Sequence, residues 1–211
     1  MIDDQYHQTR FTPDRRRGVL WKVLVESVFQ KQIPANGVVL ELGAGYGDFI
    51  NSVKAGRRIA VDCWPDFKTH LAPGVEALVT DVTRLDAVPD NVVDYVFASN
   101  CFEHVSHEGL ISCLAQLRKK MKPGARLVIL QPNFKYSYRE YFDDYTHISI
   151  YTEKSLCDLL AANGFRIERC EPRFLPLTIK SRFPVHPLLI RLYLASPFKP
   201  LGKQMLVCAI R

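Results

Sequence analysis

Apolar positions along the chain follow two alternating patterns. Short apolar runs that end at turn residues or acids predict buried strands at 38–42, 58–62, 75–79, 92–98, 125–131, 165–170 and 204–210. Apolar residues at helical spacing predict helices near 47–55, 107–121 and 152–162, and one more after Pro13-Asp14. This alternation favours an α/β protein with an open, mostly parallel sheet covered by helices on both faces.

The same patterns divide the 211 residues into a core and its additions. We predict an N-terminal helical flap over 1–36, a core over 37–171, a Pro-rich basic insertion over 172–202 and a last core strand over 203–211. Tyr6, His7 and Arg10 are candidates for a flap that closes over a ligand. Within the insertion only 188–195 has a helical pattern, because prolines interrupt the rest.

The net charge of +6 is unevenly distributed. From Pro172 to the end there are seven Lys or Arg residues and no Asp or Glu, so the basic character belongs to the tail. No uncharged apolar run of about 18 residues occurs, and the first residues lack the apolar core of a signal peptide. A cytoplasmic protein is expected, with peripheral contact to an anionic membrane as an open possibility. Nucleic acid is not an expected partner, since no recognition module accompanies the basic residues.

The six cysteines do not predict a metal site. They are scattered, with no C-x-x-C pair and no histidine at the spacing of a zinc motif. We therefore expect reduced packing cysteines and no metal.

Glycines and acids stand where the predicted strands end. Gly43, Gly45 and Gly47 follow the first strand in "VVLELGAGYGDF", where backbone without a Cβ can adopt unusual angles or lie against a ligand. The next strand ends offer Asp62-Cys63-Trp64, then Asp81-Val82, and then Asn100 followed by Glu103-His104. In open α/β sheets ligands bind at these carboxyl ends.

The residue types at these ends suit adenosine. A carboxylate at Asp62 accepts two hydrogen bonds from vicinal ribose hydroxyls, Asp81 suits the exocyclic amine of adenine, and Trp64 and Val82 offer faces to the ring. A pyrophosphate is disfavoured because the glycines are spaced G-x-G-x-G and Asp48 would repel it, whereas Asp48 suits an ammonium group. A P-loop is excluded because no G-K-[ST] follows.

In order and spacing, "VVLELGAGYGDF", "IAVDCW", "LVTDV", "FASNCFEH" and "LRKKMKPGARLVIL" resemble the successive motifs of class I S-adenosylmethionine-dependent methyltransferases. The resemblance implies a Rossmann-like sheet of seven strands with an antiparallel last strand, and S-adenosylmethionine as cofactor. It implies that Glu41 and the three glycines surround the methionine moiety, Asp62 binds the ribose, Asp81 and Val82 lie at the adenine, and Asn100 lies beside the methionine part or the acceptor. Later segments resemble small bacterial methyltransferases associated with surface polysaccharide and lipopolysaccharide gene clusters.

The segment 132–151 follows the fifth strand and carries seven aromatic residues among charged ones. We call this segment the bridge. Because it is polar, we expect it to lie over the cofactor end of the sheet as a cover. Because a hydroxyl acceptor must lose its proton, His104 and His147 are candidate general bases. Glu103 or Asp144 is either an orienting partner or the base itself.

The predicted function is methyl transfer from S-adenosylmethionine to a hydroxyl or carbon of a small-molecule or saccharide acceptor. The amine-methylating sequence Asn-Pro-Pro-Tyr is absent after the fourth strand. Two alternatives stay open, namely an inactive methyltransferase-like partner protein and a nicotinamide-dependent oxidoreductase. Arg15, Arg16 and Arg17 favour a solvated helix face over a binding site.

Overall fold

The structure is a computed structural model that describes residues 6, 12, 14–176 and 185–211. His7, Arg10 and Arg182 lie outside these residues. The sheet has seven strands in the order β3-β2-β1-β4-β5-β7-β6. The strands are β1 (Val38–Leu42), β2 (Arg57–Asp62), β3 (Val75–Val79), β4 (Val93–Ser99), β5 (Met121–Pro132), β6 (Arg166–Leu175) and β7 (Gln204–Ile210).

Strands β1 to β5 pair in parallel, and β7 lies antiparallel between β5 and β6. The predicted Rossmann-like α/β fold with an antiparallel last strand is confirmed. The order reverses between β1 and β4, so the carboxyl ends of these two strands border the crevice in which such sheets bind ligands.

The longer helices are α1 (Arg15–Leu24), α2 (His107–Lys120), α4 (Glu153–Ala162) and α5 (Pro187–Ala195), with a single turn α3 (Phe134–Ser137) in the bridge. Helix α1 continues as a π-helical turn over Val25–Phe29. Short 3₁₀ turns lie at Pro65–His70, Phe102–His104 and Tyr141–Asp143. The side chains of Ser106 and Thr152 accept hydrogen bonds from backbone N–H groups in the first turns of α2 and α4.

Apolar side chains fill both faces of the sheet, which explains the continuous apolar runs of the central strands. One face packs Leu42, Val96 and Ile129 against α2 and α4. The other packs Phe49 and Phe97, whose ring centroids lie 3.9 Å apart, beneath α1.

The predicted helix over 47–55 is wrong, because the chain there forms successive turns. The helical hydrogen-bond ladder is interrupted at Ser52, whose N–H bonds to the carbonyl oxygen of Phe49 three residues back at 2.9 Å and whose hydroxyl donates to the carbonyl oxygen of Asp48 at 2.8 Å. The carboxylate of Glu41 accepts the N–H of Ile50 at 3.0 Å, which lies in the first of these turns. Asn51 and Val53 still bond back to Gly47 and Phe49. The apolar spacing that suggested a helix instead anchors these turns on the core.

The basic tail is more ordered and more neutralised than its composition suggests. Strand β6 extends to Leu175, inside the predicted insertion. Arg191 pairs with Glu26 at 2.8 Å, Lys199 with Glu171 at 3.1 Å and Lys203 with Glu140 at 2.6 Å. Across the described ranges no helix is both long and apolar enough to cross a bilayer.

Candidate active site

The three glycines after β1 form a turn that only glycine adopts without strain. Gly43, Gly45 and Gly47 have φ angles of +67°, +50° and +68°, in the left-handed region that L side chains rarely occupy. A Cβ on Gly43 would lie 2.9 Å from Sγ of Cys101, and one on Gly47 would lie 2.9 Å from the side chains of Asn51 and Leu71. The turn after β1 is therefore packed directly against the residues that follow β4.

Two buried carboxylates hold this turn in place. Asp62, at the end of β2, accepts the N–H of Gly45 at 2.7 Å and that of Trp64 at 2.8 Å, one on each oxygen. Glu41 is fully enclosed, and burial raises its pKa well above the ordinary value, with the nearby Asp48 and Asp62 charges adding to the rise. The acids predicted from the strand ends thus position the glycine backbone directly.

Asp48 has a partner within the chain. Nε of Arg17 lies 3.2 Å from its carboxylate, and the Arg17 guanidinium lies over the Tyr46 ring, 4.8 Å from the centroid. Burial raises the pKa of Asp48, and the Arg17 charge opposes the rise. The expectation of a solvated arginine face is wrong for Arg17, which joins α1 to the glycine turn.

The ends of β2 and β3 differ in exposure. Asp81 is exposed, and its carboxylate accepts the Thr83 N–H at 2.8 Å and the Thr83 hydroxyl at 2.7 Å, whereas Val82 is buried. Trp64 is only 8% exposed and stacks on His70 at 5.4 Å, so its ring belongs largely to the core. Cys63, which lies between Asp62 and Trp64 in the sequence, is exposed.

Asn100 marks the end of β4 and has a left-handed backbone, with φ +47°. Its side-chain oxygen accepts a hydrogen bond from Nε2 of Gln204 at 3.0 Å. Gln204 begins β7, 104 residues further along the chain, and no local motif pointed to it. The pair joins the two strands that flank the carboxyl end of β5.

Just beyond Asn100, three predicted catalytic residues come together. A carboxylate oxygen of Glu103 and a ring nitrogen each of His104 and His147 lie within 4.8 Å of one another. The bridge closes this cluster, since Ile148 and Ser149 donate their N–H groups to the carbonyl oxygen of Glu103 at 2.9 and 3.0 Å. The predicted placement of the bridge over the carboxyl end of the sheet is confirmed.

Both histidines are held through Nδ1. The Nδ1 of His147 lies 2.6 Å from the carbonyl oxygen of Tyr141, and that of His104 lies 3.2 Å from the carbonyl oxygen of Thr146. A carbonyl oxygen can only accept, so each Nδ1 carries a proton, and in the neutral form of either ring the lone pair lies on Nε2.

A polar chain behind His104 reinforces this orientation. The Thr146 hydroxyl lies 2.9 Å from Nδ1 of His104 and donates its own proton to Asp144 at 2.6 Å. Burial opposes ionisation of Asp144, but the hydrogen bonds from Thr146 hold its pKa below the usual range. Thr146 lies 42 residues after His104, so no local sequence pattern predicts this contact.

Burial favours the neutral forms of two cluster members. It raises the pKa of Glu103 to about 8, and it lowers the pKa of His104 to about 4, an effect that the neighbouring His147 strengthens. Among the described residues neither carboxylate oxygen of Glu103 has a hydrogen-bond partner. The cluster therefore combines a fully buried acid with two partly exposed histidines.

Tyr6 lies against the same cluster. Its hydroxyl donates to Asp144 at 3.2 Å, and its ring centroid lies 5.9 Å from that of His104. The predicted flap therefore contacts the expected acceptor side through at least this residue.

Comparison with known proteins shows the family and the fold of the chain. Residues 14–169 match the family described as "Methyltransferase domain". A methyltransferase from Archaeoglobus fulgidus, dependent on S-adenosylmethionine, is 23% identical with a TM-score of 0.69, covering 92% of this chain and 94% of its own. A similar enzyme from Mesorhizobium loti is 17% identical with a TM-score of 0.64, covering 86% and 94%.

A more distant neighbour was solved with ligands. The geranyl diphosphate C-methyltransferase of Streptomyces coelicolor A3(2), in complex with Mg²⁺, geranyl diphosphate and S-adenosyl-L-homocysteine, is 12% identical with a TM-score of 0.64, covering 99% of this chain and 86% of its own. No curated protein sequence matches significantly.

The chain belongs to the methyltransferase domain family, which matches more than half of its length. The predicted enzyme class, an S-adenosylmethionine-dependent methyltransferase, and the predicted cofactor are confirmed. The residue assignments and the acceptor stay predictions.

Proposed function

We propose that this protein methylates a hydroxyl oxygen of a small-molecule or saccharide acceptor. The observation that carries the proposal is the Glu103–His104–His147 cluster, in which two residues that closely follow β4 meet one from the bridge, beside the point where Cys101 packs on the glycine turn. A hydroxyl needs a group that handles its proton, and the cluster provides three such groups beside the cofactor crevice.

The residues after β1 and β2 fit S-adenosylmethionine, which supplies an electrophilic methyl group on a sulfonium sulfur. The glycine turn exposes backbone without Cβ atoms, and Asp62 retains lone pairs for ribose hydroxyls after accepting two backbone N–H groups. Asp81, exposed at the end of β3, suits the adenine amine, with Val82 beneath the ring. Glu41 accepts the N–H of Ile50 and so holds the turns beside which the methionine moiety would lie.

On the acceptor side, the chain positions the hydroxyl and excludes water. The bridge contacts the segment after β4, and Tyr6 lies against both His104 and the bridge residues Asp144 and Tyr145. Positioning and water exclusion provide much of the rate in a displacement at carbon. The proton of the hydroxyl passes to the cluster and from there to solvent.

The acceptor class is a finer proposal. The later segments that resemble methyltransferases of surface polysaccharide and lipopolysaccharide gene clusters support a saccharide, such as a nucleotide sugar. Exposed aromatic residues in the bridge, Tyr138, Phe142 and Tyr145, offer the flat faces that sugar rings pack against.

An acceptor screen tests the proposal. Purified protein, S-adenosylmethionine and a panel of nucleotide sugars are incubated, and S-adenosylhomocysteine and the methylated product are measured by mass spectrometry. We expect an O-methylated sugar. Tight cofactor binding without turnover on any hydroxyl acceptor would favour a non-catalytic partner protein, and a C-methylated product would move the reaction to carbon.

A further inference from the structure

The acceptor-side cluster has the composition of a metal site, although its residues are separated in the sequence. Glu103, His104 and His147 each present one ligand atom, and these atoms lie within 4.8 Å of one another. Two imidazoles and one carboxylate form a facial set that leaves further coordination positions open. The expectation of no metal rested on the spacing of cysteines and histidines along the sequence. A site that forms only when the bridge folds onto the end of β4 has no such spacing.

The orientation of the histidines favours coordination. Each Nδ1–H points to a backbone carbonyl oxygen, Thr146 for His104 and Tyr141 for His147, which places the ligating lone pair on Nε2. Histidines that bind metals almost always donate their other ring N–H in this way. Behind His104, Thr146 and Asp144 extend the support by one more hydrogen bond.

Glu103 provides an independent indication. Its side chain is fully buried, and both carboxylate oxygens lack a hydrogen-bond partner among the described residues. A buried polar group without a partner is costly. A cation between Glu103 and the two rings would satisfy the buried carboxylate.

We propose that Glu103, His104 and His147 bind one divalent first-row transition cation, with its open positions directed to the acceptor. Two nitrogen donors and one oxygen donor suit Zn²⁺, Mn²⁺ or Co²⁺ better than Mg²⁺ or Ca²⁺, which prefer oxygen ligands. This role rests on the proposed function. The cation would bind the acceptor hydroxyl and lower its pKa, so that the hydroxyl proton leaves to solvent water.

Metal binding by the protein itself is the first test. Metal-stripped full-length chain is titrated with Co²⁺ and followed by visible absorption, with Zn²⁺ then added as a competitor and Mg²⁺ as a comparison. We expect one Co²⁺ per chain, displaced by Zn²⁺ and not by equal Mg²⁺. The Thr146→Val variant, which alters only the support of His104, should lose about 10- to 100-fold in affinity.

Two variants separate the site from adventitious binding. Glu103→Gln preserves shape and should lose at least as much affinity as Thr146→Val, with folding verified by circular dichroism and by retained S-adenosylhomocysteine binding. His107→Ala removes an exposed histidine just beyond the cluster and should bind Co²⁺ normally. Equal binding by wild type and Glu103→Gln, or no stoichiometric binding by wild type, overturns the inference.

Failure of this inference is distinguishable from failure of the proposed function. If the stripped protein methylates a hydroxyl acceptor at full rate in the presence of a chelator, the cation has no role and the histidines act as bases. If the protein binds one cation that depends on Glu103 but methylates no hydroxyl, the site stands and the proposed reaction is wrong.

Discussion

The two sides of the crevice are built by different means. On the cofactor side, Asp62 and Glu41 direct their carboxylates to backbone N–H groups, so these acids are satisfied within the fold. On the acceptor side, Glu103 is equally buried but has no hydrogen-bond partner among the described residues. The cofactor side is held ready for a ligand by its own hydrogen bonds. The acceptor side keeps a buried carboxylate that a reactant or a cation can bind. The following predictions test that contrast.

The largest effect is expected on turnover. His104→Ala and His147→Ala should each lower kcat by about 10² to 10⁴-fold, because either a proton acceptor or a cation ligand is lost. The affinity for S-adenosylhomocysteine should stay within error of wild type. Steady-state kinetics with the acceptor found in the screen measures the first quantity, and calorimetry the second.

His107→Ala is the matched control, since it removes an exposed histidine three positions from His104. Wild-type kcat in both cluster variants would contradict the assignment of this side to chemistry.

The next effect concerns the glycine turn. Gly43→Ala places a Cβ 2.9 Å from Sγ of Cys101 at a φ of +67°, and we expect a loss of about 1 to 3 kcal/mol in the free energy of unfolding. Urea denaturation measures this loss. Gly18→Ala is the control, because no atom lies within 4 Å of its Cβ position in α1, and alanine there should instead be neutral or stabilising. Equal stabilities for both variants would show that the turn is not constrained.

Local sequence predicted one side of the crevice much better than the other. The glycines, Asp62 and Asp81 lie in contiguous stretches at strand ends, so strand prediction alone brings them together. The support of His104 by Thr146, and the contact of Asn100 with Gln204, depend on long-range packing that no local pattern records. The predicted helix over 47–55 had the correct apolar spacing, but that spacing did not show that the N–H of Ser52 bonds to the carbonyl oxygen of Phe49 and so interrupts the helical ladder.

A smaller effect is expected on the pH dependence of stability. Burial raises the pKa of Glu41 well above its ordinary value in the folded state, whereas the unfolded chain releases this proton at the ordinary pKa. Above the ordinary pKa, the unfolded chain therefore binds fewer protons than the folded chain. Between the ordinary pKa and the folded pKa, the free energy of unfolding falls by about 1.4 kcal/mol for each pH unit.

Glu41→Gln keeps an acceptor for the Ile50 N–H and removes the titration. Between pH 5 and pH 8 we expect the Tm of the variant to fall less than the Tm of wild type, because the variant lacks the titration of Glu41. Thermal denaturation of the ligand-free protein at both pH values measures the difference. Parallel profiles would mean that Glu41 is ionised in the fold.

The smallest effect is expected at the tail. Leu188, Leu192 and Phe198 are exposed around α5, but the described basic side chains Arg191, Lys199 and Lys203 are already paired with acids. We expect weak, salt-sensitive sedimentation with phosphatidylserine vesicles, because these three ion pairs reduce the positive charge that the described part of the tail offers to the lipid surface. Leu192→Glu should reduce it and Ile111→Glu, on α2, should not. If the protein does not sediment with the vesicles at low salt, α5 serves only to pack on the domain.

The central claim is that cofactor binding and acceptor chemistry reside in separate groups on the two sides of the crevice. Isothermal titration calorimetry of S-adenosylhomocysteine with wild type, Asp62→Ala and Glu103→Gln tests it most directly. We expect Asp62→Ala to lose about 1 to 3 kcal/mol of binding free energy, and Glu103→Gln to bind as wild type does. Wild-type affinity in Asp62→Ala, or an equal loss in Glu103→Gln, would contradict the division.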